Sequence, residues 1–268
     1  MMEQPFLGIC FEFEKYEATG NDFIIVNSEH LNRNLSSNEI ALCCDRRFGI
    51  GADGFIILSK KATTTVEMQY FNSDGRLGSL CGNGTRAAFV YAQVHFEIDS
   101  EAQVQAFDGM HRLYQETKNS WIGLEMKPVS VVHETDEGYE LNTGSPHFVL
   151  FLNDILEISV NETGRAIRNR PVYQKDGINV NFVAMNENGL RVRTYERGVE
   201  AETLSCGTGV TASALAFFKR NLKLGNQEVQ IQTTGGALKV KAVQTPEGFE
   251  KIELWGPARR VFSGVITI

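Results

Sequence analysis

Two short phrases constrain this chain more than anything else in it: Cys81-Gly82-Asn83-Gly84-Thr85-Arg86 and Cys206-Gly207-Thr208-Gly209-Val210-Thr211. Each sets a cysteine and two glycines ahead of a run of small and apolar residues, and nearly half of the 268-residue chain separates them. The runs at 87–96 and 210–220 are small or apolar on nearly every face, the pattern of helices enclosed by strands. Most of the rest reads as short β segments bounded by Gly, Asn, Asp and Pro. These fall at 23–27, 55–59, 66–71, 104–107, 121–126, 147–151, 179–185, 190–195, 229–233, 238–242 and 251–255. Thr234-Gly235-Gly236 and Asp136-Glu137-Gly138 read as turns, and Ser36 followed by Glu39 as a capping box. Lys219, Arg220 and Lys223 suit the negative end of the second enclosed helix.

The duplication extends beyond the cysteines. Thr19-Gly20-Asn21-Asp22-Phe23 is echoed by Thr143-Gly144-Ser145-Pro146-His147-Phe148, and Tyr70-Phe71-Asn72 by Tyr195-Glu196-Arg197 at the same offset from the following cysteine. The expected organisation is therefore an α/β (α+β) chain of two pseudo-symmetric domains, each a mixed β-sheet around a central helix. An N-terminal half at 1–128 carries Cys81 and a C-terminal half at 129–258 carries Cys206. A last strand, about 259–268, is placed so that it can return to the first half.

A formal net charge of −7 argues against nucleic acid or an anionic membrane surface as the main partner. No apolar run approaches the roughly 18 residues of a membrane span. The first residues hold Glu3 and Glu12 and no basic region, unlike a secretory signal. Five cysteines, an odd number without CxxC spacing, fit neither a disulfide framework nor a zinc site, so no metal is expected. Adjacent Cys43-Cys44 is poor metal spacing, and with Cys10 these read as structural. A reduced, cytoplasmic protein is expected.

The chemistry follows from where the cysteines stand. At a helix N-terminus a thiol meets unpaired N–H groups and the positive end of the macrodipole, which lower its pKa and raise its thiolate fraction. Glycines beside it let the backbone approach a ligand and aim N–H groups at an anion such as a carboxylate. Two such thiols suit inversion of a stereocentre without a cofactor. One removes the α-proton from one face and the other returns a proton to the opposite face, while helix-end donors stabilise charge developing on the carboxylate.

The motifs GNDF at 20–23, FGIGADG at 48–54, FNSDG at 71–75, CGNGTR at 81–86, SPHF at 145–148, INVNF at 178–182, YERG at 195–198, ET-x-x-CGTG at 202–209 and TTGG at 233–236 occur in the order seen in diaminopimelate epimerases. The chain resembles that family over nearly its whole length beyond a short N-terminal extension. The resemblance implies an isomerase, independent of PLP and of any other cofactor, in which two similar α/β domains enclose the substrate in the cleft between them. It would interconvert LL- and meso-2,6-diaminopimelate in the route to lysine and peptidoglycan, with a homodimer as the plausible assembly. Carried over residue by residue, Cys81 and Cys206 resemble the acid/base pair. Gly82-Asn83 and Gly207-Thr208 resemble the turns whose amides hold the reacting carboxylate. Asn21, Asn72, Asn179 and Arg197 resemble the residues that grip a diamino dicarboxylic acid, Arg197 suiting its distal carboxylate. Glu196 resembles a partner for a substrate ammonium, and with His147 matches positions that tune the cysteines. Gly54 and Ser145 depart from the family, many members having Gln and Asn there.

Two other readings fit the residues. One is a related cofactor-independent racemase for proline, hydroxyproline or histidine, which would not need the second amino-acid end that Asn179, Glu196 and Arg197 suit. The other is a thiol redox or anion-binding protein that uses the two turns as a switch.

Overall fold

The computed structural model describes residues 8–78, 80–117 and 121–268. The chain divides into two compact units. One comprises the segment ending at Ala18, together with Asp22–His111 and Ala258–Ile268; the other comprises Thr19–Asn21 and Arg112–Pro257.

In the first unit, strands β1 (Cys10–Ala18), β2 (Asn21–Asn27), β3 (Gly54–Lys60), β4 (Thr65–Asn72) and β5 (Glu101–Ala106) are joined by the C-terminal strand Arg259–Thr267. The sheet runs C-terminal strand, β1, β2, β3, β4, β5, with β2/β3 and β4/β5 parallel. Phe23, Ile24, Ile25 and Val26 on β2 are all buried, as continuous apolar strands in parallel ladders covered on both faces should be. Helix α1 (Ser37–Cys44) begins at the expected capping box: Ser36 Oγ accepts from Glu39 N at 3.4 Å, and Ser36 N donates to Glu39 Oε2 at 2.7 Å. Cys43 and Cys44 lie in the core with Ile24, Ile40 and Phe55. Desolvation, with the nearby Glu39 charge, pushes the Cys43 thiol up to about 11; desolvation pushes Cys44 to about 12. Helix α2 (Gly82–His95) touches β1, β3, β4, β5 and the C-terminal strand, so its small residues Gly84, Ala87, Ala88 and Ala92 are buried.

The second unit takes the later part of β6 (Gly109–Gln115), then β7 (Ile122–Met126), β8 (Val132–Glu134), β9 (Tyr139–Asn142) and β10 (Pro146–Phe151). Helix α3 (Val160–Arg168), β11 (Asn179–Asn186), β12 (Gly189–Glu196), β13 (Ala201–Thr203), α4 (Gly207–Asn221), β14 (Gly225–Thr233), β15 (Gly236–Thr245) and β16 (Gly248–Gly256) follow. Its sheet runs β8, β9, β10, β11, β12, β14, β15, β16, β7, β6, with β10/β11 and β12/β14 parallel. The mid-chain division lies at His111/Arg112 rather than near Pro128 because β7 pairs antiparallel with β16, Leu124 opposite Leu254. Thr19–Asn21 groups with this unit because Thr19 Oγ1 donates to Ser205 Oγ at 3.2 Å and Gly235 packs on the Thr19 carbonyl. A Cβ on Gly235 would sit 1.9 Å from that oxygen, so only glycine fits at the centre of the Thr234-Gly235-Gly236 turn.

The two units share one ladder plan. In each, an antiparallel pair and a parallel pair alternate, and a buried helix precedes the strand of the second parallel pair (β5 or β14). The strand register adjusts the sequence repeat by one residue. Phe55 pairs with Phe71 as Val180 pairs with Tyr195, so Phe71 and Tyr195 hold equivalent places, followed by Asn72 and Glu196. The connection to the second cysteine is therefore one residue longer. Among the described residues, no helix is long and apolar enough to cross a membrane.

Candidate active site

Cys81 and Cys206 are the N-cap residues of α2 and α4, with nearly identical extended backbones: φ −111° and ψ 106° for the first, φ −118° and ψ 109° for the second. The same local sequence has produced the same turn twice. Cys81 Sγ accepts from the Gly84 amide at 3.4 Å, one of the orphan donors of the first helical turn. Cys206 is buried, its Sγ 3.5 Å from Thr208 Oγ1. Gly82 and Asn83, and Gly207 and Thr208, form the first turns, so the amides expected to hold a carboxylate do stand at helix N-termini.

The glycines have different reasons in the two turns. A Cβ on Gly209 would lie 2.3 Å from Asn181 Oδ1 and 3.3 Å from Thr194 Oγ1. One on Gly84 would meet only the tips of Ile56 and Phe23, at 3.2 Å each. Asn181 thus locks the α4 turn from β11, and it is fixed in turn: its Nδ2 donates to Phe148 O and reaches His147 Nδ1, both at 3.1 Å, while its Oδ1 accepts from Thr194 Oγ1 at 3.0 Å. Sequence reasoning passed over Asn181. The signal was present in INVNF, where 179 and 181 fall on one face of a strand.

His147 is fully buried on β10. Because Asn181 Nδ2 is a donor, His147 Nδ1 accepts and the proton sits on Nε2, which has no hydrogen-bond partner among the described residues. Desolvation, with the Arg197 charge adding to it, lowers its pKa to about 3, so the imidazole is neutral at ordinary pH.

Three of the expected substrate-binding positions, Asn179, Glu196 and Arg197, lie near one another in the second unit, with Ser145 between two of them. Asn179, at the start of β11, donates through Nδ2 to Ser145 Oγ and Pro146 O, both at 3.0 Å, and accepts from the Arg197 amide at 2.9 Å. Arg197 Nη2 donates to the same Ser145 Oγ at 3.2 Å, and Nη1 to the Asp176 carbonyl. Glu196 ends β12 and accepts from Thr203 Oγ1 at 3.0 Å. Ser145 therefore links Asn179 to Arg197. Thr143 Oγ1 donates to the Thr208 carbonyl at 2.9 Å, tying this loop to the Cys206 turn.

Asn72 ends β4 of the first unit, paired with Gly54 at the start of β3. Gly54 has no room for a side chain: a Cβ there would lie 2.5 Å from the Tyr70 ring, which also covers Gly78 at 2.6 Å. Asn21 opens β2, and its loop is braced by charge. Asp22 takes a bidentate bond from Arg46 at 2.7 and 3.0 Å and an ion pair from buried Lys15 at 2.8 Å, and Arg46 also reaches Asp53 at 2.8 Å. Desolvation of Asp22 is outweighed by these partners, which hold its carboxyl below the usual range.

A cavity of about 580 Å³ in the second unit is lined by Arg193, Glu202, Thr203 and Thr233, among others, and contains none of the predicted site residues. Two of its charged residues are already committed to each other. Arg193 forks onto Glu202 at 2.7 and 2.8 Å and donates to the carbonyls of Ile155, Leu156 and Ile158. The Glu of ET-x-x-CGTG is therefore a clamp on β12 and β13.

The family model for diaminopimelate epimerase matches residues 13–132 and 139–261. The chain belongs to the diaminopimelate epimerase family. It is 41% identical over 254 residues to the diaminopimelate epimerase of Flavobacterium psychrophilum, covering 94% of this chain and 98% of the relative. With that of Chlorobaculum tepidum it shares 35% over 259 residues, covering 94% and 99%. In fold it is similar to the phenazine biosynthesis protein of the PhzF family from Bacillus anthracis, with a TM-score of 0.76 at 13% identity, over 97% of this chain and 99% of the other. A hydroxyproline epimerase from Agrobacterium vitis gives 0.71 at 10% identity, over 97% and 93%. At such identities these two likenesses concern the mixed α+β fold alone.

Proposed function

We propose that this chain interconverts LL- and meso-2,6-diaminopimelate without a cofactor, Cys81 and Cys206 acting as the two bases. The observation that carries the reading is the pair of cysteines at matched N-caps, each followed by a glycine turn at the positive end of a long helix. The thiolate of one cysteine takes the α-proton and becomes a thiol. The thiol of the other gives its proton to the opposite face of the same carbon and becomes a thiolate, so charge and protons balance and the next turnover runs the reverse way. Amides of the Gly82–Asn83 and Gly207–Thr208 turns hold the α-carboxylate and the charge that develops on it. Asn21 and Asn72 orient the substrate. The Asn179–Ser145–Arg197 cluster and Glu196 read the far carboxylate and ammonium, the feature that separates a diamino dicarboxylic acid from a simple amino acid. His147, neutral and buried beside the Asn181 lock, tunes the α4 turn by position rather than by charge.

The place of this reaction is lysine and peptidoglycan precursor synthesis, in a reducing cytoplasm that suits two thiols. Val261, Phe262 and Val265 are exposed on the C-terminal strand, which favours a homodimer.

The test is to incubate reduced, PLP-free protein with LL-diaminopimelate in heavy water and follow both meso product and deuterium at the α-carbon. Both are expected. Neither Cys81→Ala nor Cys206→Ala should epimerise; normal turnover by either variant would remove the two-thiol mechanism.

A further inference from the structure

Arg86 has no place in the acid/base scheme, yet it is fully buried five residues after Cys81 on α2. Burying a guanidinium costs several kcal/mol unless its N–H groups are used, so it needs a reason. Its Nη2 donates to Asn83 Oδ1 at 2.8 Å and its Nη1 to the Gly82 carbonyl at 3.4 Å. It therefore grips the two residues that directly follow Cys81.

The repeat supplies a control inside the same molecule. The aligned residue of α4 is Thr211, whose Oγ1 donates to the Gly207 carbonyl at 2.9 Å. Both helices brace the same carbonyl behind the cysteine, and only the first does so with a charge. Desolvation lowers the Arg86 pKa to about 10, opposed by the charges of Cys81 and Glu17, so it stays cationic at neutral pH. The other charged groups on the elements around α2 have partners of their own. Glu17 on β1 pairs with Arg259 of the C-terminal strand at 2.7 Å, and Arg260 there pairs with Glu14 of β1 at 2.8 Å. Lys15 on β1 pairs with Asp22 at 2.8 Å, and Glu67 on β4 with Lys61 at 2.7 Å. Lys60 on β3 donates to the Phe96 carbonyl at 2.5 Å, and Glu101 of β5 is exposed.

We propose that Arg86 is a positioning residue that holds the Gly82–Asn83 turn and sets a buried positive charge behind Cys81, favouring the Cys81 thiolate in the substrate-free enzyme. The proposal deepens the two-thiol reading and rests on it. Low-dielectric surroundings make one buried charge effective, and Thr211, at the same place on α4, carries none.

Both cysteines are titrated in one sample by iodoacetamide alkylation, read peptide by peptide by mass spectrometry from about pH 6 to about pH 9, since only thiolate reacts. Cys81 is expected to alkylate with a midpoint below the ordinary thiol value of about 8.5. Arg86→Gln should raise the Cys81 midpoint by about one unit, an approximately tenfold slower alkylation at neutral pH, and leave Cys206 in place. Arg86→Lys keeps the charge and loses the fork, so its Cys81 midpoint should stay near native while KM rises severalfold. A folded Arg86→Gln protein with an unmoved Cys81 midpoint overturns the proposal, as does an equal shift at both cysteines. If the Gln variant does not fold, the Lys variant decides: a midpoint raised by a full unit despite the retained charge refutes the electrostatic role. Alkylation needs no turnover, so its outcome is separate from that of the two-thiol reading, which fails only if Cys81→Ala or Cys206→Ala still epimerises.

Discussion

Replacing the third residue after each cysteine with alanine should have opposite consequences in the two halves. In a helix, Gly→Ala by itself gains about 0.5–1 kcal/mol by lowering the entropy lost on folding. At Gly84 the new methyl meets Ile56 and Phe23 side-chain tips at 3.2 Å, a few tenths of an ångström too close. Such tips can move for under about 1 kcal/mol, so Gly84→Ala should be near neutral. At Gly209 the methyl lies 2.3 Å from Asn181 Oδ1. That atom is the end of a side chain, but a pinned one: rotating it away disturbs bonds to Thr194 at 3.0 Å and to His147 and Phe148 at 3.1 Å. At about 1 kcal/mol for each hydrogen bond, less the helical gain, the net loss is roughly 2–3 kcal/mol. For a protein of this size that corresponds to roughly 5 °C in Tm. Calorimetric melting of the two single variants beside the native protein measures it. Equal melting temperatures for Gly84→Ala and Gly209→Ala would refute the lock assigned to Asn181.

His147 makes stability fall in acid. Its ordinary value of 6.5 is lowered to about 3 in the fold, so below about pH 6.5 the unfolded chain takes a proton that the folded one refuses. Urea unfolding at pH 5 should therefore show about 2 kcal/mol less of this contribution than at pH 8, and His147→Gln should flatten that part of the profile; an unchanged profile in the variant would show that the imidazole titrates normally. Arg197→Ala should raise KM for diaminopimelate by at least about tenfold with kcat changed far less, if the lost fork holds the end of the substrate where no bond changes, as proposed. Steady-state kinetics with an unchanged KM would place the distal carboxylate elsewhere.

The fold was legible where the sequence alternates cleanly or repeats. All eleven expected strands overlap observed ones, and both helices after the cysteines start at the N-caps read from the glycine turns. Strand β1 was missed because buried Lys15 interrupts its Phe11–Phe13 alternation, and Lys15 is held in the core by Asp22 of β2 and by the Gly51 carbonyl, far along the chain. Helix α3 was missed because Gly164 weakens its pattern and Ser159 makes no side-chain cap bond. That glycine is required by β12, since a Cβ would sit 2.4 Å from the Tyr195 Cβ. The mid-chain boundary was misplaced because β7 reads the same locally whichever sheet it joins; its pairing with β16 is a long-range fact. Within the candidate site, the motifs name residue types and the helix N-termini that carry them, while the bonds made by Asn181 and Arg86 could not be read. Their roles depend on what lies within 3 Å, and no local spacing encodes that.

The register of the two ladders shows what duplication kept and what it released. Phe23 pairs with Gly54 as His147 pairs with Asn179, so the glycine and the asparagine hold one position in two sheets. In the first unit the Tyr70 ring fills the space beside that position; in the second, Asn179 uses it to gather Ser145 and Arg197. Behind the cysteines the same divergence sets Arg86 against Thr211. The backbone frame of cysteine, glycine turn and helix is what proton transfer at either face of a carbon requires, and it is the part that stayed identical. A substrate that reacts at one end and is only held at the other would require the halves to differ elsewhere. Under the proposed function, recognition of the far end falls to the Asn179–Ser145–Arg197 cluster of the second unit, while the buried guanidinium of Arg86 lies in the first.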